Sequence, residues 1–292
     1  MKKKLKMVIT GGGSGIGAEI AKLLGKDGHS VAICGRRENR LREVAEIDKD
    51  IIYFVCDVSK EKDVKSFVNF VKNRFGYVDV VINCAGVFGD IGRFDTTSSR
   101  KWKKTFEINT YGIYLITKHF LPLLLKSDMK KIINFSGGGA FSPFPNYSAY
   151  AVSKTAAVRF SENIAVELAD LGVRVNCIAP GFVATELHDD TLKAGRKKAG
   201  KQYELTKKKL KERSGTPIDR VVECVKFLIS DESNELTGKT ISANFDRWNM
   251  KEFGESIDEI NSSELYTLRR INLINLDMNN NLRKKLMKVQ KG

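Results

Sequence analysis

Cysteine and histidine are scarce in this chain, and neither is arranged to bind a metal. The 292 residues include five cysteines and three histidines, with no Cys-x-x-Cys pair. Scattered cysteines, odd in number and mostly inside apolar runs, are typical of small buried residues in a reducing compartment. We therefore expect neither disulfides nor a metal site. The cysteines are Cys34, Cys56, Cys84, Cys177 and Cys224.

Long apolar runs are also missing. No stretch reaches the roughly 18 apolar residues that a membrane-spanning helix needs. The basic start Met1-Lys-Lys-Lys4 is similar to the beginning of a signal peptide, but the apolar run after it covers only residues 7–9. That run is too short for the apolar region of a signal peptide. The sequence predicts a cytoplasmic protein with no membrane partner.

Acidic residues are few relative to basic ones. The chain has 35 aspartates and glutamates against 50 lysines and arginines, a formal charge of +15. This excess indicates acidic ligands or surfaces, although a lysine-rich proteome produces the same balance. The densest basic segment, residues 186–216, does not alternate its lysines with a series of aromatic residues that would stack on bases. We therefore expect no nucleic-acid partner.

The chain is rich in alternating short apolar runs and longer amphipathic stretches, up to about residue 245. Alternation of this kind predicts an α/β fold, a doubly wound parallel sheet with helices on both faces, in the three-layer Rossmann arrangement. We expect one domain over residues 1–246 and a C-terminal extension over residues 247–292. The predicted strands lie near residues 6–10, 30–34, 51–55, 78–83, 131–136, 173–179 and 240–244; the predicted helices lie near residues 15–27, 38–46, 60–75, 99–126, 150–171 and 217–230.

A glycine-rich segment, Thr10-Gly-Gly-Gly-Ser-Gly-Ile-Gly17, joins the first predicted strand to the first predicted helix. In that context glycines let the backbone approach a pyrophosphate, and the helix N-terminus offers positive charge. The alternative is a glycine-rich connection without a ligand. The predicted dinucleotide contacts are Thr10, Gly11, Ser14, Gly15, Ile16 and Gly17.

The end of the second predicted strand indicates which dinucleotide is bound. NAD sites generally place a carboxylate there, whereas NADP sites offer arginine to the 2′-phosphate. This chain has Gly35, Arg36 and Arg37, with no acid before Glu38. We therefore favour NADP over NAD, with Arg36 as the principal contact. The alternative is that both arginines are ordinary charges at the start of a helix.

Tyr150 and Lys154 are four residues apart, so on a helix both side chains lie on one face. A neighbouring cation lowers the pKa of a tyrosine, which can then exchange a proton with a carbonyl or alcohol. With the upstream glycine run and Asn83-Cys-Ala-Gly86 between them, the chain resembles the short-chain dehydrogenase/reductase family. In motif order it is similar to the 3-oxoacyl-thioester reductases of that family.

The resemblance implies an NAD(P)-dependent oxidoreductase and assigns its residues. Tyr150 would protonate the substrate carbonyl, Lys154 would lower the pKa of that tyrosine and hold the ribose, and Asn109 would support a water chain. Asp57 would contact the adenine, other residues would form the adenosine-side wall, and a third group would orient the nicotinamide carboxamide. These cofactor residues are Asp57 and Val58, then Asn83, Ala85 and Gly86, and lastly Pro180, Gly181 and Thr185.

One departure from the family concerns the serine that hydrogen-bonds the substrate oxygen, because its position is Gly137 here. Three explanations remain open. Ser136 or Ser148 substitutes for it, backbone N–H groups of the glycine run act as donors, or the protein binds cofactor with little turnover. We favour Ser136. Little turnover would make the protein a dinucleotide sensor or scaffold.

Two segments outside the alternation bear on partners. Residues 186–216 lie where the family has its substrate lid, and their lysines could attract an anionic substrate such as a phosphate, a nucleotide sugar or an acyl thioester; the alternative is a solvated lid. The extension could place Trp248, Arg269 or Arg270 over a neighbouring active site, or add a dimer contact. The resemblance also implies a homodimer or homotetramer formed through the helices near residues 99–126 and 150–171.

Overall fold

The computed structural model describes residues 3–269. Seven strands form one parallel sheet, and every predicted strand is confirmed. They are β1 (Lys6–Thr10), β2 (Ser30–Gly35), β3 (Ile51–Val55), β4 (Val80–Asn83), β5 (Lys131–Phe135), β6 (Arg174–Ala179) and β7 (Thr240–Ser242), and they lie in the order β3-β2-β1-β4-β5-β6-β7. The strand order reverses between β1 and β4, and the crevice beyond their carboxyl ends is where such sheets bind ligands.

Helices cover both faces of the sheet, as the alternation predicts. They are α1 (Gly15–Lys26), α2 (Glu38–Ala45), α3 (Glu61–Phe75), α4 (Ser99–Phe106), α5 (Gly112–Leu124), α6 (Ser148–Glu167), α7 (Asp189–Ala199), α8 (Lys201–Glu212), α9 (Ile218–Ile229), α10 (Lys251–Glu255) and α11 (Ile257–Ser262). Within residues 3–269, none of them combines the length and apolar character needed to cross a bilayer.

Two layers of buried apolar side chains hold the sheet between the helices. Ile20 of α1 and Val225 of α9 belong to one core cluster with Ile82 of the sheet. Phe67 of α3 and Phe120 of α5 belong to the cluster on the opposite face, where their rings meet edge to face at 5.3 Å. Because the central strands are buried on both sides, their sequences read as continuous apolar runs rather than alternating ones.

Three departures from the predicted helices bear on the site. The predicted helix over residues 99–126 is interrupted by a π-helical turn at Glu107–Tyr111, between α4 and α5. The predicted helix over 150–171 begins two residues earlier, at Ser148. The basic segment 186–216, left outside the alternation, forms α7 and α8, which meet at Gly200 with a φ of +58°.

Candidate active site

The glycine-rich turn between β1 and α1 passes too close to its surroundings for side chains. A Cβ on Gly11 would lie 2.9 Å from the Cα of Ala85, and a Cβ on Gly17 would lie 2.6 Å from the carbonyl oxygen of Gly11. Gly11 and Gly15 adopt φ angles of +69° and +54°, which favour glycine. Because α1 begins at Gly15, its first N–H groups, which lack intrahelical partners, lie at this turn. The turn therefore fits a dinucleotide pyrophosphate.

Two predicted cofactor residues hold the strands together behind this turn. The Thr10 hydroxyl accepts hydrogen bonds from the N–H groups of Cys84 and Ala85, each at 3.1 Å. The Asn83 amide donates to Oδ1 of Asn134 at 2.8 Å, inside the sheet. Neither side chain lines either of the two cavities at the carboxyl ends of the strands. Both instead position the loop after β4.

A first cavity of about 330 Å³ lies beyond the ends of β1, β2 and β3. Burial would raise the pKa of Asp57, but hydrogen bonds from Ser59 and the charges of Lys104 and Arg36 lower it below its usual value. Asp57 is therefore ionised near neutral pH and accepts hydrogen bonds. Of the predicted cofactor residues, this cavity is lined by Gly11, Ser14, Arg36, Arg37, Asp57, Val58, Ala85 and Gly86.

A second cavity of about 440 Å³ adjoins the first, and Gly86 and Leu187 line both. Its lining is rich in aromatic rings. Phe88 packs edge-on against Tyr150 with ring centroids 4.8 Å apart, and Phe144 also lies beside this tyrosine. Of the predicted site residues, this cavity is lined by Ile16, Gly86, Ser136, Tyr150, Lys154, Pro180, Gly181 and Thr185.

Burial controls the proton affinity of the Tyr150 and Lys154 pair. The ammonium of Lys154 lies 5.9 Å from the Tyr150 ring centroid and donates a 2.8 Å hydrogen bond to the carbonyl oxygen of Phe135. Burial raises the pKa of Tyr150 and lowers the pKa of Lys154. The sequence predicts a lowered tyrosine pKa, but in the structure burial raises it. The phenol is therefore protonated at neutral pH and can act as a proton donor.

Asn109 lies in the π-helical turn and is fully buried. Its side-chain oxygen accepts a hydrogen bond from the N–H of Val87, and its amide donates to the carbonyl oxygen of the same residue, both at 2.9 Å. The amide also donates to the Ser153 hydroxyl on α6 at 2.9 Å. Asn109 therefore fastens the loop after β4 to the helix that carries Tyr150 and Lys154. The predicted water chain stays a prediction.

Position 137 has no space for a side chain. A Cβ on Gly137 would overlap the hydroxyl oxygen of Tyr150. Gly137 does not adopt a φ in the left-handed region, so this close approach, rather than backbone conformation, requires the glycine. The tyrosine hydroxyl thus occupies the space in which the family's serine side chain would begin.

The two serines proposed as substitutes differ in position. Ser136 follows the last residue of β5, lines the second cavity and donates a 3.2 Å hydrogen bond to the carbonyl oxygen of Ile178. Ser148 begins α6, accepts a 3.2 Å hydrogen bond from the Trp102 indole, and is not among the cavity-lining residues. The assignment of Ser136 as a substrate hydrogen-bond donor stays a prediction.

The predicted lid contributes α7 and α8 to the wall of the second cavity. Among its basic side chains, that of Lys209 lines this cavity and lies 4.9 Å from the ring centroid of Phe182. Most of the other lysines and arginines of the segment are exposed. The His188 ring stacks on Phe182 at 4.0 Å, and burial together with the Lys209 charge lowers the pKa of His188 to about 4. His188 is therefore neutral at physiological pH.

The aromatic lining and the acidic start of the lid were not predicted from the sequence. Phe88, Phe144 and Phe182 each lie in a loop beyond a strand's carboxyl end, so the topology alone brings them together. Glu186 lines the first cavity together with Asp189 and Asp190, at the acidic start of a segment that is mainly basic further on. That reversal of charge was the signal available in the sequence.

The described part of the C-terminal extension packs on its own domain. Trp248 is buried in the same core cluster as Phe227 of α9, and the Arg220 guanidinium lies 4.3 Å from its ring. The prediction that Trp248 reaches a neighbouring active site is therefore wrong. Arg269 pairs with Glu264 on the same extension. Arg270 lies outside the described residues.

Comparisons with known proteins identify the family of the chain. A profile of the short chain dehydrogenase family matches residues 6–196. Dehydrogenase/reductase SDR family member 4 of Sus scrofa is 33% identical over 238 residues, which cover 80% of this chain and 84% of that protein. A variant of actinorhodin polyketide ketoreductase with NADPH is 27% identical with a TM-score of 0.75, covering 82% of this chain and 95% of that one. A 3-ketoacyl-(acyl-carrier-protein) reductase from Brucella melitensis with NADH is 27% identical with a TM-score of 0.70, covering 82% and 96%. The chain therefore belongs to the short chain dehydrogenase family of oxidoreductases, which act on CH–OH and C=O groups.

Proposed function

We propose that this protein is an NADP-preferring reductase of ketones that combine an apolar body with an anionic group. The observation that carries the proposal is the second cavity, where aromatic rings surround the buried hydroxyl of Tyr150 and Lys209 stands in the wall. A 3-oxoacyl thioester on a phosphate-bearing carrier is one substrate of this description. Its apolar chain suits the aromatic lining, and its phosphate suits a lysine.

The chain's own residues account for the proton transfer. The nicotinamide, when bound, supplies the hydride. Tyr150 is protonated at neutral pH and donates that proton to the substrate oxygen. Lys154 stabilises the phenolate that results, because its ammonium lies 5.9 Å from the ring centroid. Phe88 and Phe144 restrict water around the tyrosine, which strengthens this charge interaction.

The preference for NADP rests on the end of β2. Arg36 is exposed, lines the first cavity, and within residues 3–269 forms no ion pair with a carboxylate. Arg37, by contrast, is paired with Glu186 and hydrogen-bonded to Ser14. Arg36 is therefore the better placed guanidinium for a 2′-phosphate. The similar structures include one with NADPH and one with NADH, so the preference depends on this chain's own residues.

Binding measurements with NADPH and NADH test the proposed preference for NADP. We expect the natural protein to bind NADPH more tightly than NADH, and Arg36→Asp to weaken NADPH by about tenfold or more while sparing NADH. Arg42→Asp is the matched control, because Arg42 is an exposed arginine of α2 that does not line the cavity. Equal affinity of the natural protein for both cofactors would defeat the NADP preference.

Matched ketones test the anionic group. Pairs that differ only in a carboxylate or phosphate should show a lower KM for the charged member, and Lys209→Gln should remove that advantage with little change in kcat. Lys207→Gln, an exposed lysine on the same helix, should preserve it. An unchanged preference in the Lys209 variant would show that the anion is bound elsewhere or not at all.

A cofactor sensor is the second candidate, and Gly137 is the observation that favours it. The family's substrate-binding serine has no side chain here. Saturable NADPH binding, without oxidation of NADPH by any ketone in a panel that includes the charged and uncharged pairs, would support the sensor and exclude the reductase. Turnover of any member of the panel that depends on Tyr150 would support the reductase.

A further inference from the structure

Glu186 at the start of the lid forms ion pairs with two arginines. Its Oε2 lies 3.3 Å from Nη1 of Arg37, and its Oε1 lies 3.0 Å from Nη2 of Arg40. Arg37 also donates a 2.8 Å hydrogen bond to the Ser14 hydroxyl in the glycine-rich turn. A single carboxylate thus joins the lid, the start of α2 and the dinucleotide turn.

These groups lie where the adenosine end of a dinucleotide is expected. Ser14, Arg37 and Glu186 all line the first cavity, together with Arg36 at the end of β2. The lid also contributes two negative charges, Asp189 and Asp190, and one positive charge, Lys193, to the lining of this cavity. The lid therefore presents mainly negative charge to the arginines of β2 and α2.

We propose that Glu186 is a specificity-determining residue that holds Arg37 and Arg40 and competes with a phosphate on the adenosine ribose. The inference rests on the proposed NADP-dependent function. A guanidinium paired with a carboxylate is a weaker phosphate ligand, and a dianionic phosphate beside an ionised glutamate is repelled. A 2′-phosphate bound by Arg36 that also reaches Arg37 or Arg40 must displace Glu186 from them, whereas a ligand without this phosphate leaves the ion pairs intact.

The competition is modest in size because the pairs are exposed. The side chains of Arg37, Arg40 and Glu186 are each about half exposed, and exposed ion pairs are weak and screened by salt. The carboxylate can therefore leave without disturbing β2 or the turn. We expect its removal to change phosphate affinity by about three- to tenfold.

The test compares two adenosine ligands on two variants by isothermal titration calorimetry. Adenosine 2′,5′-bisphosphate carries the ribose phosphate, and adenosine 5′-monophosphate lacks it. Glu186→Gln should bind the bisphosphate about three- to tenfold more tightly than the natural protein and bind the monophosphate within about twofold. Glu38→Gln is the control, since Glu38 pairs with Arg42 and neither residue lines the cavity. It should change neither affinity, and the gain in Glu186→Gln should shrink in high salt.

Each other result has a defined meaning. An unchanged bisphosphate affinity in Glu186→Gln, or an equal gain for both ligands, overturns the inference. Weaker binding of the monophosphate also overturns it, because Glu186 would then be a ligand for the ribose hydroxyls.

The proposed NADP preference is tested separately, and it fails if the natural protein binds NADPH and NADH equally. If Glu186→Gln still gains only on the bisphosphate in that case, the inference stands. An unaltered thermal unfolding curve confirms that Glu186→Gln is folded.

Discussion

The hydroxyl of Tyr150 lies in space that a side chain at position 137 would fill. Restoring the family's serine there should therefore harm the enzyme, because the new Cβ would displace the tyrosine. We expect Gly137→Ser to lower kcat by about tenfold or more. Gly138→Ser is the control, since a Cβ at that position meets Phe144 only at 3.7 Å, an ordinary contact. Higher turnover in Gly137→Ser would instead show that the tyrosine moves and that the natural chain lacks a donor.

Ser136 is the side chain that we expect to bind the substrate oxygen. It lines the second cavity, and its hydroxyl can exchange its bond to Ile178 for one to substrate. Ser136→Ala should lower turnover by about a hundredfold. Ser148→Ala should stay within a few fold, because the Ser148 hydroxyl is bonded to Trp102. Full activity of Ser136→Ala would leave the backbone N–H groups of the glycine run as the donors.

Tyr150 supplies the proton in the proposed reaction. Tyr150→Phe keeps the ring contacts to Phe88 and Phe144 but removes the acid. We expect turnover to fall by at least about a hundredfold while the affinity for NADPH changes little. Steady-state kinetics and cofactor titration on the same preparation separate the two effects. Retention of most activity would exclude the role.

The helices show what sequence periodicity can and cannot locate. The segment over residues 99–126 is apolar at helical spacing, but periodicity does not distinguish an α-helix from one with an inserted π-helical turn. That turn carries Asn109, whose three hydrogen bonds are long-range contacts to Val87 and Ser153. A local pattern cannot report such contacts, which is why the residue was identified by resemblance and its partners were not.

The extension after β7 is part of the core through Trp248. This side chain packs on Phe227, lies against the Arg220 guanidinium, and donates a hydrogen bond to the carbonyl oxygen of Ala243. Trp248→Ala should lower the free energy of unfolding by about 3–5 kcal/mol. Urea unfolding followed by circular dichroism measures this. Phe245→Ala is the control: Phe245 is 81% exposed, and a change within about 0.5 kcal/mol is expected.

The fold as a whole followed from the sequence because parallel strands buried on both faces leave continuous apolar runs. The glycine turn was also predictable, since Gly11 and Gly17 are required by close backbone approaches. The sequence predicted the site less completely than the fold. The side chain of Asn83, predicted to form the adenosine-side wall, is engaged inside the sheet instead, and Glu186 acquires its importance from arginines far away in sequence. Such pairings depend on strand order and on lid position, which no local pattern encodes.

The surface of the helical layer on one side of the sheet predicts self-association. Val152 and Val166 of α6 are exposed, as are Tyr111 and Tyr114 of the π-helical turn and α5, and the rings of the two tyrosines stack. Exposed apolar side chains on neighbouring helices favour a symmetric contact between copies. The net charge of +15 opposes that contact, so the mass in solution should be measured at about 0.15 M salt, where the repulsion between copies is screened.

Light scattering at micromolar concentration should therefore give the mass of a dimer or tetramer. Val152→Glu should shift the mass toward the monomer, because two like charges would meet across a two-fold contact at α6. Phe94→Glu places the same charge on an exposed apolar residue outside α5 and α6, in the turn Phe94–Thr96, and should leave the mass unchanged. A monomeric mass for the natural protein would contradict association altogether. An oligomer that both variants preserve would place the contact on another face.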